Sequence, residues 1–365
     1  MLEAPVIIVG GGPAGSSCAW KLRAHGIESV VLDSQEFPRV KLCAGWITPR
    51  VLADLEIGRG EYPHPLVKLG ALRVAFFGKR GAWPFSVNAE QYSIRRFEFD
   101  RWLLERSGAK VIRHQVREVA ADGEAFVLDG QFRCRVLVGA GGTHCPVFRH
   151  LFRPRSTRSR EHQVAALEEE FEYGPRSDEC FLWFGENGLV GYAWCVPKGS
   201  GWVNVGLGGF CHYLDEAEVN LHGHWAAFVE RLRADGLVTG HTYAPKGHTY
   251  FVRDRAEIGR IGNAYIVGDS AGLATRDLGE GIGPAVESGI RAADSIALGR
   301  PYSLDGLTTY SLVGDGLGRR MLERVIDRRG LFFRDRVYAR HWRAKERAFA
   351  ARREGSPSTS GKGVS

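Results

Sequence analysis

No stretch of this 365-residue chain stays apolar over the ~18 residues that a bilayer-spanning helix needs. The apolar opening at 6–9 is too short for the core of a secretion signal, and no basic region precedes it. A cytoplasmic protein is expected, with contact at a membrane surface left open. No two of the seven cysteines stand in a Cys-x-x-Cys pair, and their number is odd. Neither a zinc site nor a disulfide framework is indicated, so reduced thiols and no metal are expected. No Ser/His/Asp or Cys/His set has the spacing of a hydrolase. Excess positive charge is missing from most of the chain as well. Residues 319–365 hold 14 Lys/Arg against 5 Asp/Glu, and the remainder holds 35 against 37. The net charge of +7 thus belongs to a C-terminal segment and does not mark the body as a nucleic-acid binder.

Glycine, by contrast, is plentiful at 47 residues, and much of it falls in recognisable loops. The chain is long for one core, which suggests two intertwined domains or one with a large insertion. Gly10, Gly12 and Gly15 fit Gly-x-Gly-x-x-Gly. The context is complete: a strand at 6–9, a helix predicted over 13–25, and a second strand at 29–32 ending in Asp33. Gly10 permits a tight turn, Gly12 a close approach of pyrophosphate, and Gly15 helix–strand packing. With Pro13 and Ala14 they would cradle a dinucleotide at a helix N-terminus. Asp33 would accept hydrogen bonds from an adenosine ribose, and no arginine follows it to welcome a 2′-phosphate. Far down the chain, the strand at 263–268 ends in Gly268-Asp269. Gly279, Glu280, Gly281 and Ile282 then open a helix to about 298, with Ile282, Val286, Ile290 and Ala293 at helical spacing.

Further segments give these two a family likeness. Arg39-x-Lys41-x-Cys43-Ala44-Gly45, the Arg96 helix start in 94–103, the strand and turn at 136–144, and Tyr192-x-Trp194-x-x-Pro197-Lys198 followed by 203–208 resemble the geranylgeranyl reductase family of FAD-dependent oxidoreductases. That family has the hydroxylase-type, glutathione-reductase-like FAD fold. The likeness spans about residues 5–300. It implies an α/β protein: a Rossmann-like FAD-binding domain with an inserted antiparallel-sheet (α+β) substrate domain. It also implies that Asp269 holds ribityl hydroxyls, that the helix from Ile282 aims its N-terminus at the flavin pyrimidine edge, that Arg96 contacts the cofactor, and that Cys43 lies by the flavin face. Two departures stand out. Cys43-Ala44-Gly45 replaces the frequent Cys-Gly-Gly, with bulky Trp46 next. Gly141 stands where Gly-Ala-Asp-Gly has its carboxylate, which weakens an aromatic-hydroxylase reading. Residues 191–197 also resemble a motif of tryptophan halogenases, whose catalytic lysine has no counterpart placed here.

The FAD-binding domain is expected at 1–60, 92–155 and 250–300, with a meander over 113–138 turning at 122–123 and 129–130. The substrate domain is expected at 61–91 and 156–249, with strands at 164–172, 179–184 and 201–208 and a helix over 215–234. Arg39 and Lys41 serve the flavin or its phosphates, or are solvated loop charges. Cys43 tunes the flavin or donates a proton, or is a packing thiol. Tyr192 and Trp194 share a strand face, lining an apolar slot or the sheet core. Lys198 pairs with cofactor or substrate, or is a loop cation. His248 and Tyr250 are proton donors or part of a surface hairpin, and Glu280 is structural first and proton-handling second. Only one dinucleotide fingerprint exists, since 206–209 lacks a following βαβ unit. An NAD(P)H donor would therefore bind transiently, or another carrier brings electrons.

Beyond lies a helical segment at 301–354. Leu331, Tyr338, Trp342 and Phe349 share one face of it, amid basic residues. The stripe packs on the protein's own body, or docks on an anionic membrane or an acidic partner. The polar run at 355–365 reads as a disordered tail. Three functions fit: reduction of carbon–carbon double bonds in an apolar, isoprenoid-like substrate; flavin-dependent monooxygenation or halogenation, with a residue of a partner protein among the candidate substrates; and electron transfer to a redox protein.

Overall fold

The structure is a computed structural model that describes residues 1–309 and 311, apart from 59, 79, 80, 89, 157, 175, 176 and 254–257. The expected basic C-terminal stripe and the tail from 355 lie outside the described residues. Strand β1 (Leu2–Val9) runs into helix α1 (Pro13–Ala24) and returns as β2 (Ser29–Asp33). The short β3 (Trp46–Ile47), α2 (Pro49–Asp54) and β4 (Val67–Lys68) lead to the hairpin β5 (Leu72–Gly78) and β6 (Gly81–Val87), then to β7 (Tyr92–Ser93). After α3 (Arg96–Ser107) and β8 (Lys110–Arg113) come the meander strands β9 (Val119–Asp122), β10 (Ala125–Leu128) and β11 (Phe132–Gly139). Next are β12 (Gln163–Glu172), β13 (Cys180–Phe184), β14 (Gly191–Lys198) and β15 (Trp202–Phe210), then helices α4 (Cys211–Glu216) and α5 (Leu221–Ala234). The described chain ends with β16 (Lys246–Phe251), β17 (Arg260–Ile261), β18 (Ala264–Ile266) and α6 (Ile282–Leu298).

Two large sheets result. The first has eight strands, with the path β17-β18-β11-β1-β2-β8 and the β9–β10 hairpin built onto β11. Its centre is parallel, which explains the unbroken apolar run in β1. A parallel strand is covered on both faces. Ile7 and Val9 point into one core with Leu32, Leu137 and Phe152. Val6 and Ile8 point into the other, where Cys18 and Leu22 of α1 meet Ala292 and Ala293 of α6.

The second sheet has seven strands in the order β16-β12-β15-β14-β13-β5-β6. All its pairings are antiparallel except β13 with β5. One face packs under α5, through Phe171, Trp183, Val205, Trp225 and Phe228. The other carries Val74, Leu182, Phe184, Trp194 and Val196 and turns toward the first sheet. The helix predicted over 215–234 is divided. Glu218 takes a left-handed φ of 53°, and the Asn220 side chain accepts a hydrogen bond from His222 N to start α5 afresh. Asparagine favours such caps over helix interiors because its amide competes for nearby backbone groups. Among the described residues no helix is long and apolar enough to cross a membrane.

Candidate active site

At the β1–α1 turn the backbone has no room for side chains. Gly10 has a φ of +111°, and a Cβ there would lie 2.3 Å from the Ala140 carbonyl oxygen. A Cβ on Gly15 would lie 1.9 Å from the Gly10 oxygen. Gly12 differs: its nearest obstacle is the tip of Arg39, at 3.4 Å, so the loop is open on that side. No side chain caps α1, whose first N–H groups and partial positive charge are left for an anion. Asp33 steadies this loop, accepting from Gly11 N at 2.7 Å and Gln35 N at 2.9 Å.

From this turn a cavity of about 830 Å³ runs between the two sheets. It is lined by Gly10, Gly12, Pro13, Ala14, Asp33, Arg39, Lys41, Cys43, Ala44, Arg96, Gly141, Asp269, Gly279, Gly281 and Ile282. Tyr192, Trp194 and His248 line its other wall. Gly15, Gly45 and Gly268 stand behind the wall, as packing positions. Gly45 has a φ of +65° and lies against Ile94 O, where a Cβ would come to 2.1 Å. Gly268 donates its N–H to Ser288 Oγ at 2.9 Å where α1 and α6 meet. Gly206 and Gly208 belong to β15, paired on both sides with β12 and β14. They form no phosphate loop.

The loop at 39–45 is held by ions. Arg96 makes a two-pronged pair with Asp100, at 2.5 and 2.7 Å, and Arg39 approaches the same carboxylate at 3.4 Å. Burial pulls the Arg96 guanidinium down, but Asp100 and the Cys43 thiol outweigh it and the net shift is upward. Burial lowers Arg39, a desolvated cation against the glycine turn. Cys43 lies beside Arg96, and its Sγ accepts from Gly45 N at 3.3 Å. Lys198, read from the sequence either as pairing with cofactor or substrate or as a loop cation, is neither lining the cavity nor exposed. It is 2% exposed, pairs with Glu170 at 2.6 Å and donates to Cys43 O at 2.8 Å. It clamps the cofactor-side loop to the second sheet.

The second sheet's wall is aromatic, with a polar chain inside it. Tyr192 and Trp194 have ring centroids 5.6 Å apart; Tyr192 donates to Leu278 O and Trp194 Nε1 to Asn204 Oδ1 at 2.7 Å. Asn204 Nδ2 donates to Glu168 Oε2 at 3.2 Å. Glu168 Oε1 lies 3.4 Å from His248 Nδ1. Burial pushes the Glu168 carboxyl up to about 7. Burial, helped by Lys41, pushes His248 down to about 4, so its imidazole is neutral at pH 7. Burial also raises the Tyr250 phenol. At the α6 N-terminus Glu280 Oε1 accepts from Gly283 N at 2.6 Å, and burial pushes that carboxyl up to about 8.

Reading the sequence missed Glu168. Its signal was the strand alternation at 164–172. Leu167 and Phe171 belong to the core under α5, which puts Ala166 and Glu168 on the cavity side, where a carboxylate is out of place. It also missed Asp100, the anion shared by Arg96 and Arg39.

These residues fit FAD. Two helices, α1 and α6, present N-termini without a side-chain cap on the N-cap residue, and Asp33 and Asp269 line the same groove. The substitution-intolerant turn at Gly10 and Gly15 shapes one end of the cavity. The aromatic wall leaves room for a flat ring system at the other.

Comparison with known proteins agrees. Residues 8–42 match the model of an NAD(P)-binding Rossmann-like domain. A menaquinone reductase of Mycolicibacterium smegmatis is 30% identical over 332 residues, covering 85% of this chain and 78% of that protein. A digeranylgeranylglycerophospholipid reductase of Methanosphaera stadtmanae is 24% identical, covering 90% and 87%. The structure of a geranylgeranyl bacteriochlorophyll reductase-like protein from Thermoplasma acidophilum has the same fold, with a TM-score of 0.69, 21% identity, and coverage of 95% and 87%. The chain belongs to the geranylgeranyl reductase family of FAD-dependent oxidoreductases.

Proposed function

We propose that this oxidoreductase saturates carbon–carbon double bonds in a long apolar, isoprenoid-like chain. The carrying observation is a file of aromatic rings on the cavity-facing side of the second sheet. From Trp194 it passes to Tyr192, then to Phe184 at 4.9 Å, Phe76 at 4.8 Å and Phe85 at 5.7 Å. Phe85, on the edge strand, is 45% exposed. Such a track suits a substrate with one reacting segment in the cavity and a long apolar remainder laid along the sheet. The charged lining residues Arg39, Asp33 and Arg96 gather toward the glycine turn instead. Two of the relatives named above are, by their names, a reductase of menaquinone and a reductase of a digeranylgeranylglycerophospholipid.

FAD, held by the glycine turn, the 39–45 loop and the α6 N-terminus, supplies a hydride when bound and reduced. The chain's own residues orient the alkene on the aromatic wall, keep water from it and deliver a proton. The electron donor in this reading is NAD(P)H bound transiently, or another carrier, since a second dinucleotide turn is missing from the sequence.

The test is anaerobic. The reduced flavoprotein is mixed with a polyprenyl lipid, and flavin absorbance and lipid mass are followed. The expected result is reoxidation by the lipid without oxygen, with two hydrogens gained per double bond. Reoxidation only by air, with oxygen entering the product, would favour a monooxygenase. Reoxidation only by a redox protein, with no product, would favour an electron carrier.

A further inference from the structure

We propose that Glu168 is the proton reservoir of the site and feeds the substrate through His248, whose Nε2–H is the donor at the reacting carbon. The proposal rests on the double-bond reduction proposed above. Hydrogen-bond logic carries it. Trp194 Nε1 is only a donor, so Asn204 Oδ1 accepts from it. The other half of that amide is then NH₂, and it donates to Glu168 Oε2. Oε2 is thereby used as an acceptor. Glu168 Oε1 and His248 Nδ1 are both buried and have no other hydrogen-bond partner among the described residues, yet they face each other at 3.4 Å. One proton on Oε1 satisfies both. His248 then carries its own proton on Nε2, and the ring lines the cavity.

Glu168 borders the cavity but is only 1% exposed, with its Oε1 buried against His248, and acts through the imidazole. The groups around the pair do not cancel this polarity. Lys198, paired with Glu170 and donating to Cys43 O, is the charge that lowers Glu168 most, and the Asn204 hydrogen bond lowers it further, but burial outweighs both. Lys41 lowers both groups, Asp269 raises His248, and Glu170 raises Glu168. The Tyr250 ring stacks on His248 at 5.9 Å, and Tyr192 stays protonated. Burial holds the proton on Glu168 up to about 7 and keeps His248 from becoming a cation first.

The step balances. The alkene gains the hydride that reduced flavin supplies at one carbon and the Nε2 proton at the other. The Glu168 proton moves to Nδ1. Glu168 is left as a carboxylate facing Nδ1–H, and water restores the proton through the ring.

The test has two independent arms. In the first, infrared spectroscopy of the purified flavoprotein follows the protonated-carboxyl band against pH. Wild type is expected to lose a buried band near pH 7, and Glu168→Gln to lack it. His248→Asn is expected to keep the band but shift its titration. In the second, single-turnover reduction of a polyprenyl lipid by prereduced enzyme is followed against pH. The wild-type rate is expected to fall as pH rises through about 7. Glu168→Gln is expected to flatten that profile and slow the step by about 100-fold. A band that titrates near 4 overturns the proposal. So does a pH profile that survives Glu168→Gln and disappears in Glu280→Gln. If wild type reduces no lipid while the infrared titration is as expected, the reservoir stands and the lipid reading fails.

Discussion

The two ends of one cavity are built by different means. At the nucleotide end the work is done by backbone: a turn of glycines, two helix N-termini, and loop charges close to them in sequence. At the second sheet it is done by side chains. Glu168, Asn204, Trp194 and His248 come from four strands spread over 163–251, and each matters through what it faces. The nucleotide end tolerates little change of shape, because carbonyls stand where a Cβ would go. The sheet end tolerates little change of hydrogen-bonding character, because its polar atoms are sealed from water. Shape failures at one end and proton failures at the other should therefore separate in experiment.

The sharpest break is Gly10→Ala. Left-handed strain and collision with Ala140 O each cost about 1–3 kcal/mol. A variant that folds is expected to leave gel filtration colourless. Lys198→Met probes the clamp between the ends. Removing a buried cation from Glu170 and Cys43 O is expected to cost about 3 kcal/mol in thermal or denaturant unfolding. Arg95 also pairs with Glu170, at 3.1 Å, which puts the loss at the low end of that mechanism. Lys198→Met should stay yellow, because Lys198 lies behind the cavity wall. If Lys198→Met bleaches the protein and Gly10→Ala does not, the division of labour drawn here is reversed.

The same contrast explains what could be read from the sequence. Gly10, Gly12, Gly15 and Asp33 sit within one βαβ unit, so their spacing alone carries their geometry, and α6 announced itself by its glycines and helical period. The strands 164–172 and 179–184 were legible as strands because alternation is local. Which face of them met the cavity was not, because that depends on which strand lies beside which. Glu168 lies across β15 from Trp194 only because β12 pairs with β15 and β15 with β14. Lys198, the last residue of the family motif at 192–198, allowed two readings, a cation for cofactor or substrate and a loop cation. Its partner Glu170 is on a strand two places away in the sheet, and no local pattern reveals that. The helix over 215–234 failed for a local reason: Asn220 was read as helix interior when it is a cap.

Titration gives a smaller, sign-bearing test. The folded protein holds the Glu168 carboxyl at about 7, above its ordinary range of about 4.3 when unfolded. Its contribution to stability is full below that range and is lost as pH rises through about 7. His248, lowered to about 4, contributes above about 6.5, and that contribution is lost as pH falls toward 4. The two slopes oppose each other between those limits. Glu168→Gln should therefore leave a protein whose stability still weakens on acidification but weakens less toward neutral pH. Unfolding midpoints across that range read this directly. Glu280, whose carboxyl burial pushes up to about 8, extends the same loss to higher pH.

The smallest expected effect is the most discriminating. Trp194→Phe keeps an aromatic ring on the wall and removes one N–H. Asn204 Oδ1 is then left without its donor in a fully buried place, which costs about 1–3 kcal/mol. If the amide turns over, Asn204 presents its oxygen to Glu168 Oε2. The proton of Glu168 then has an acceptor on the wrong side, and His248 Nδ1 loses its claim to it. The stability loss remains, because the amide NH₂ now faces the phenyl ring without an acceptor, while the infrared carboxyl band shifts and proton delivery slows. A purely structural role for Trp194 predicts the same lost stability with an unshifted band. The indole thus fixes the direction of a proton path that it never touches.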